Sequence, residues 1–589
     1  MRSKLFYLVF VPTMLGFGLQ SCGGDSSTES GTPKEAKGGA AYGGSFNLAE
    51  NDKYSTLFPL TVIDVPSWHV TTQIHDGLLK FNPKTLELEP AVAESFKLSD
   101  DKLEITFNVR KGVFFHDDPC FSGAKGREVT AEDVKYTLEL LCTPGIADDN
   151  FHTFIDGKIV GANEFYAKKA NTISGVTVNG NTLKIKVTSP SESVLSVFGS
   201  PVTSIIAKEA YEKYNKDLKV GCGAFKYIKK GEPEKEIYLV RNSNYYAKDK
   251  HGNQLPFLDT VHISFIDDNN AQLELFRKQK LSILYGLPAE KISEVVQENM
   301  PDFTGKPPKY MLDRQSEMVA QFYELNLTRP QFKDPRVRKA MSMAINRAKI
   351  NELILNGQAA ITGPNGLTGN YGIVPPISQF KGYDTSMTHG YNYNPEMAKK
   401  LMAEAGYPNG DNFPTLNLII NSGGSRHSKV ANEIANQWRN VLGINVEINT
   451  VPLEQKIEDS KFGRGDVFRS AWVADYPSPE SFLSIFFGAN VPKTLDKPSH
   501  PNTMRYCSAA YDSLYIKGLR AATKEERLKY FAMAEQQMLE DCPVIVLWYG
   551  ENYKLLHSNI NNFYNNAMNY INLNEVYIKA PEAPKKETK

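Results

Sequence analysis

The sequence predicts a mixed α/β protein of two or three domains, on three observations. The chain has 589 residues, more than one ordinary hydrophobic core takes in. Alternating apolar positions and helix-spaced apolar positions follow one another along its length. Helix-capping and helix-ending residues stand at the joins.

In chain order, residues 43–48 read as an opening strand. Residues 103–109 (LEITFNV) alternate apolar and polar, as a half-buried strand does. Thr130 is a good N-cap, with Asp133 at the third helical position, close to a capping box. Residues 183–187 and 237–240 are further strands. Asp334-Pro335 opens a helix whose Val337, Met341, Ala344 and Ile345 share one apolar face. Residues 395–405 form a helix that stops at Gly406. A strand at 416–420, a helix at 429–442 and a strand at 444–448 make a βαβ-like unit. A helix at 524–539 leads into 544–548 (VIVLW), a wholly apolar buried strand. There is no internal repeat.

Composition narrows the function classes. Hydrophobic residues make up 41% and charged residues 23%, as in ordinary globular proteins. Lys+Arg and Asp+Glu are both 67, so no net charge invites a nucleic-acid partner. Aromatics reach 11%, which suits recognition pockets and a large core alike.

The amino terminus carries a sharper signal. Arg2 and Lys4 form a positive head, and an apolar run at 5–19 follows, too short for a comfortable membrane span. It ends in Leu19-Gln20-Ser21-Cys22, which resembles a bacterial lipoprotein cleavage box, with Cys22 as the lipidated residue. Residues 1–21 are then a signal peptide. Residues 22–41, rich in Gly, Ser, Thr and Lys, are a flexible tether. Gly23 after Cys22 argues against retention at the inner membrane, and the choice of membrane stays open. The folded body is expected on the periplasmic face of a bacterial cell envelope, held only by lipid.

Five other cysteines remain: Cys120, Cys142, Cys222, Cys507 and Cys542. An exported compartment permits disulfides. Cys120 with Cys142 is the favoured bridge, because the two flank one insertion and one helix. No CxxC is present and no spacing matches a zinc site, so no metal and no cofactor are expected.

A resemblance emerges from several motifs in order. Residues 74–94 read IHDGLLKFNPKTLELEPAVAE and residues 107–118 FNVRKGVFFHDD, followed by VTAEDV at 129–134. VGCGAFK at 220–226, RNSNYY at 241–246, FKDPRVRKAM at 332–341 with AINR at 344–347, and 394–410 continue the pattern. Together they resemble the peptide/nickel class (family 5) of ABC solute-binding proteins. A longer turn at 119–128, holding Cys120, departs from that pattern. The segment 466–483 (DVFRSAWVADYPSPESFL) looks closest to oligopeptide-binding members.

The resemblance implies a periplasmic binding protein-like class II (cluster C) fold. Two lobes, a hinge and an extra domain enclose the ligand between the lobes. Domain I would be 42–75, 195–305 and 546–580, domain II 76–194, domain III 306–545, and 581–589 a tail. The resemblance implies that Asp475 receives a peptide α-ammonium, a role that a buried carboxylate suits. A helix cap or salt bridge is the plainer role for Asp475. Arg469 is expected to take the peptide carboxylate, or else to be a surface or lobe-bridging residue. Ser470 to Val473 and Ile63, Asp64 and Val65 would offer backbone groups on the two sides of the ligand, with Val65-Pro66 matching a first-domain strand. Trp472 would line a side-chain pocket. Cys222, between two glycines near the lobe junction, is expected as a small packing group.

The expected function is a receptor of an ABC importer that captures oligopeptides. Its partners are peptide ligand, permease and ATPase subunits, and a membrane through the lipid; the receptor itself is expected to be a monomer. Within the same class, dipeptides, a nickel chelate, haem or an oligosaccharide are the alternatives. A secreted hydrolase is more remote: there is no GxSxG, no HExxH and no GxxxxGK. His116 beside Asp117 and Asp118 has no second His near it. The expectation is therefore not an enzyme.

Overall fold

A computed structural model describes residues 34–579, apart from 189–191, 286, 288–290, 292–293, 296, 298–299, 306–307, 358, 361–371, 378–379, 381 and 424. Cys22 and the signal segment lie outside the described residues. Residues 34–41, expected in the tether, are part of the folded body. Lys34–Glu35 pairs with Ala41–Tyr42. Asn253 explains the order: its Oδ1 accepts from the Lys37 N–H (3.0 Å) and its Nδ2 donates to the Lys37 carbonyl (2.9 Å). Ala40 and Ala41, small and apolar, are buried beside it.

Three sheets organise the described chain. The first runs Phe225–Ile228, Glu236–Arg241, Thr260–Phe265, Ser45–Glu50, with only the last pair parallel. Phe46, Leu48, Ile237, Leu239, Val261 and Ile263 supply its buried face, packed on Val70 and Ile74 of the helix Val65–Ile74. The second, antiparallel throughout, runs Ala93–Leu98, Glu104–Val109, Thr182–Lys186, Val176–Asn179. Against it lies the helix Ala131–Leu141, with Val134, Leu138 and Leu141 turned inward. Its start is a full capping box: Asp133 N–H donates to Thr130 Oγ1, and Thr130 N–H donates back to the Asp133 carboxylate.

The third sheet has seven strands. In order they are Ile283–Leu284, Val544–His557, Tyr310–Leu325, Val467–Val473, Leu416–Asn421 and Val446–Val451, with Ala359–Ala360 beside Val544–His557. Leu416–Asn421 is parallel to both of its neighbours, and the helix Ser425–Leu442 makes the crossover. Trp438 of that helix is fully buried and donates Nε1–H to the Met341 carbonyl (2.9 Å). The apolar run at 544–548 has a simple cause. Ile545 and Leu547 face one core, while Val544 and Val546 face another, so neither side of this strand meets water.

Two strands of this sheet are unusually long: Tyr310–Leu325 has 16 residues and Val544–His557 has 14. Their outer halves pack on the first-sheet side, where Tyr310 and Leu555 join Ala49, Leu273 and Phe276. Their inner halves belong to the second-lobe core, through Tyr323, Leu325, Ile545 and Leu547. The register between them shifts twice, between Ser316 and Ala320 and between Gln321 and Phe322. Extra residues in an antiparallel ladder loosen it and raise its twist, and both shifts fall between Tyr310 and Tyr323, which join different cores. The expected domain border at 545/546 falls inside the strand Val544–His557, and residues of both long strands join the cores of both lobes.

The cysteines also correct an expectation. Cys120, Cys142, Cys222, Cys507 and Cys542 are free thiols, so the favoured bridge is not formed. Cys142 ends the helix Ala131–Leu141 buried in the core, while Cys120 sits half-buried in the inserted turn. Burial pushes both thiols up to about 12.

One buried acid gives a stability test. Glu535 lies on the helix Lys524–Asp541 at 1% exposure and accepts from the Val374 N–H and the Tyr383 hydroxyl, both at 2.7 Å. Burial pushes its pKa up to about 7. The folded chain then holds this proton more tightly than the unfolded chain. The stability tied to it is present in acid and lost as pH rises from the unfolded value towards 7. Glu535→Gln keeps an acceptor for Val374 and removes the ionisable group. The variant should gain about 1–2 kcal/mol over the parent at pH 8 and little at pH 4.5, measured by denaturant unfolding at both pH values.

Candidate functional site

A cleft of about 510 Å³ separates the lobes. First-lobe residues Asp52, Asp64, Val65, Trp68 and Tyr285 line one wall, and Arg426, Lys456, Arg469, Trp472 and Asp475 line the other. The second wall is built by Val467–Val473. On one edge this strand pairs with Tyr310–Leu325 over its whole length, Val319↔Val473 to Leu325↔Val467. On the other it pairs with Leu416–Asn421 only at Val467 and Phe468. From Arg469 to Val473 that second edge has no strand beside it among the described residues. A strand edge with open donors and acceptors is a template for an added strand.

Asp475 follows this open edge. Its N–H donates to Ser481 Oγ (3.0 Å), and the Ser481 hydroxyl donates to Asp475 Oδ2 (3.4 Å). Trp472 Nε1–H reaches the same hydroxyl at 3.4 Å, so one serine positions both residues. The next helix, Pro479–Leu483, is capped by Ser478, and among the described residues Asp475 makes no ion pair. The carboxylate is thus neither a cap nor half of a salt bridge. Burial pushes it up to about 7, while the Ser481 hydrogen bond and the Lys158 charge hold it back. Lys158 itself pairs with the buried Glu480 (3.6 Å), and Lys461 pairs with Asp149 (2.5 Å). These two bridges tie the 76–194 segment to the second lobe.

Arg469 bonds only to amides: Nη1 donates to Asn421 Oδ1 (3.1 Å) and Nη2 to Gln321 Oε1 (2.7 Å). No carboxylate lies within ion-pair distance among the described residues, and burial pulls its pKa down to about 10. A guanidinium held this way can take an anion. The Ser470 side chain is otherwise engaged. It donates to Glu324, accepts from Lys456, and closes a buried network with Ser460. What Ser470 has to offer a ligand is therefore its backbone.

The first-lobe wall corrects the sequence. Val65 is not in a strand: Val65-Pro66 open the helix Val65–Ile74. Asp64 is its N-cap, accepting from the Ser67 N–H and hydroxyl (2.8 Å each) and from the Ser55 hydroxyl. Asp64, Ser67 and a proline at the helix start fit this capping role better than an extended segment. Elsewhere, His116 is buried with Nε2 2.9 Å from the Gly223 carbonyl, and Cys222 is buried against the Asp76 carbonyl. Neither lines the cleft.

Asp52, Trp68, Tyr285, Arg426, His427 and Lys456 are cleft residues that sequence reasoning missed. Trp68 Nε1 and the Tyr285 hydroxyl are buried there with no hydrogen-bond partner among the described residues. One signal could have found Arg426 and His427. They follow Gly423 at the carboxyl end of a strand in parallel pairing, where α/β sheets place their ligands.

Two lobes on a shared pair of strands, with a ligand-sized cleft between, are the plan of a solute-binding protein. The chain belongs to the bacterial extracellular solute-binding proteins, family 5, whose model matches residues 87–493. It is 27% identical over 513 residues to the periplasmic oligopeptide-binding protein OppA of Escherichia coli K12, covering 85% of this chain and 86% of that one. It is 24% identical to the heme-binding protein A of Haemophilus influenzae, covering 87% and 88%. Among solved structures it is similar to the ABC transporter-associated periplasmic binding protein DppA of Helicobacter pylori in complex with the peptide STSA. The TM-score there is 0.77 at 24% identity, over 92% of this chain and 99% of that one. The class II two-lobe fold with an extra domain is therefore shared. No helix among the described residues is long and apolar enough to cross a membrane.

Since burial and not a charged partner sets Asp475, its carboxyl should titrate near pH 7 in the ligand-free protein. Carbon-detected NMR of aspartate side chains, assigned with Asp475→Asn, measures this. A midpoint below pH 5 contradicts the desolvated geometry.

Proposed function

We propose that this protein is the receptor of an ABC importer, capturing oligopeptides by their backbone and α-ammonium and handing them to a membrane permease. One observation carries the reading: among the described residues the edge of Val467–Val473 stands open from Arg469 to Val473 and leads to the carboxylate of Asp475, which has no ion-pair partner there. A peptide laid on that edge gains backbone hydrogen bonds whatever its sequence, and its ammonium ends at Asp475. The names of the relatives, oligopeptide-binding and peptide-bound, support this choice of ligand.

The cycle is a hinge closure. A ligand that touches both walls only when they meet favours the closed form by that difference in affinity. The register shifts between the two long strands are where the backbone yields. Trp472, fixed by Ser481, lines a side-chain pocket, and Arg469 takes a ligand carboxylate that reaches it. The receptor acts as a monomer. Lipid on Cys22 holds it to the envelope membrane, and it binds its ligand without chemical change.

Asp475→Ala should weaken peptides of varied length by about a hundredfold, much more than Arg469→Ala does, read by calorimetry. N-acetylation of the peptide should cost as much as Asp475→Ala. Equal small effects from both substitutions would remove Asp475 from its role. Native mass spectrometry of ligand carried through purification should find peptides; a sugar, haem or metal chelate in their place would sink the choice of ligand.

A further inference from the structure

Asp52 is a third charged group on the cleft, unforeseen in the sequence. It stands just beyond the first-lobe strand Ser45–Glu50 and makes no hydrogen bond or ion pair among the described residues. Yet it is not turned to open water. Its Oδ2 and Oδ1 lie 2.8 and 3.1 Å from where a Cβ on Gly423 would stand. Gly423 belongs to the second lobe, in the turn between Leu416–Asn421 and the 18-residue helix Ser425–Leu442. Any side chain at 423 would push Asp52 away, so the contact between lobes depends on that glycine.

The same turn holds Arg469, through Asn421 Oδ1. Arg469 is the opposite charge acting on Asp52, while Glu50, Asp64 and Asp267 are like charges around it. Arg426, in the first turn of the helix, adds to the positive field on Arg469. The helix start is itself positive. A carboxylate from one lobe thus stands where the other lobe concentrates its positive potential.

Resting on the reading that peptides lie with their ammonium at Asp475, we infer that Asp52 is a specificity-determining residue, which holds the anion side of the Arg469 subsite from the opposite lobe and biases the cleft against ligands whose free carboxylate reaches Arg469. Such a carboxylate shares Arg469 with Asp52 and meets the like charges of Asp52 and Glu50. A ligand that is neutral there, because its carboxylate lies elsewhere in the cleft or is amidated, meets no such cost.

The test is calorimetry on the full chain with peptides of one sequence, two to five residues long, each as free acid and as carboxyl-terminal amide. Asp52→Asn should tighten free acids relative to amides by about fivefold at the length that reaches Arg469. Asp52→Ser should do the same, which separates charge from packing. In an Arg469→Gln background the gain should vanish, as expected of a coupled pair. An acid-to-amide ratio unmoved by Asp52→Asn overturns the inference. So does a loss confined to lysine-containing peptides, since Asp52 would then hold a ligand cation. Failure of the parent protein to bind either form would overturn the peptide reading itself, a separate result.

Discussion

Everything in this molecule hangs on one hydrogen-bonded ladder, the antiparallel pairing of Tyr310–Leu325 with Val544–His557. A strand pair cannot belong half to one core and half to another without a change of twist between them. The two register shifts supply that change. On one side of them Tyr310 and Leu555 help build the first-lobe core; on the other Tyr323 and Ile545 build the second. A continuous pair of strands therefore joins the lobes.

The second constraint is electrostatic. Buried charges are expensive unless paired or hydrogen-bonded. Most charged groups near the cleft obey this: Lys456 with Glu324 and Ser470, Glu50 with His69, Arg314 with Glu551. Asp475, Arg469 and Asp52 depart from it, because each is drawn from water without a partner of opposite charge at ion-pair distance among the described residues. Ser481 for Asp475, and Asn421 with Gln321 for Arg469, fix the geometry with neutral bonds and leave the charge uncompensated. A charge so held is poised for a ligand of opposite sign. Asp475 and Arg469 stand on one wall and Asp52 on the other, so Asp52 alone acts on the second lobe from across the gap.

Much of the fold was legible in the sequence, since local physical chemistry dictates it. Thr130 with Asp133, Asp334 with Pro335, and Asn394 with Pro395 all start helices where their capping chemistry says they should. Gly406 ends its helix at a positive φ of 94°. The site was legible in part. The segment 466–483 stood out, and Asp475, Arg469 and Trp472 do meet at the cleft. Val65 misled, because Asp64-Val65-Pro66 favours a capped helix, and a resemblance in spacing does not carry backbone conformation. The Cys120–Cys142 bridge misled because flanking one insertion and one helix does not set the surroundings of a side chain: Cys142 lies buried in the core, while Cys120 is half-buried in the inserted turn.

The sequence by itself determined the local elements, the apolar faces that make the cores, and membership of a chain-long pattern of motifs. These depend on residues within a few positions of each other. Only the tertiary structure decided that Asp52 meets Gly423 across the gap within the field of Arg469, and that, among the described residues, Asp475 is spared from capping and pairing and one edge of Val467–Val473 stays open. The reason is physical. Burial, unpaired charge and an unpartnered strand edge belong to surfaces brought together from distant parts of the chain, and no local window contains both sides of them.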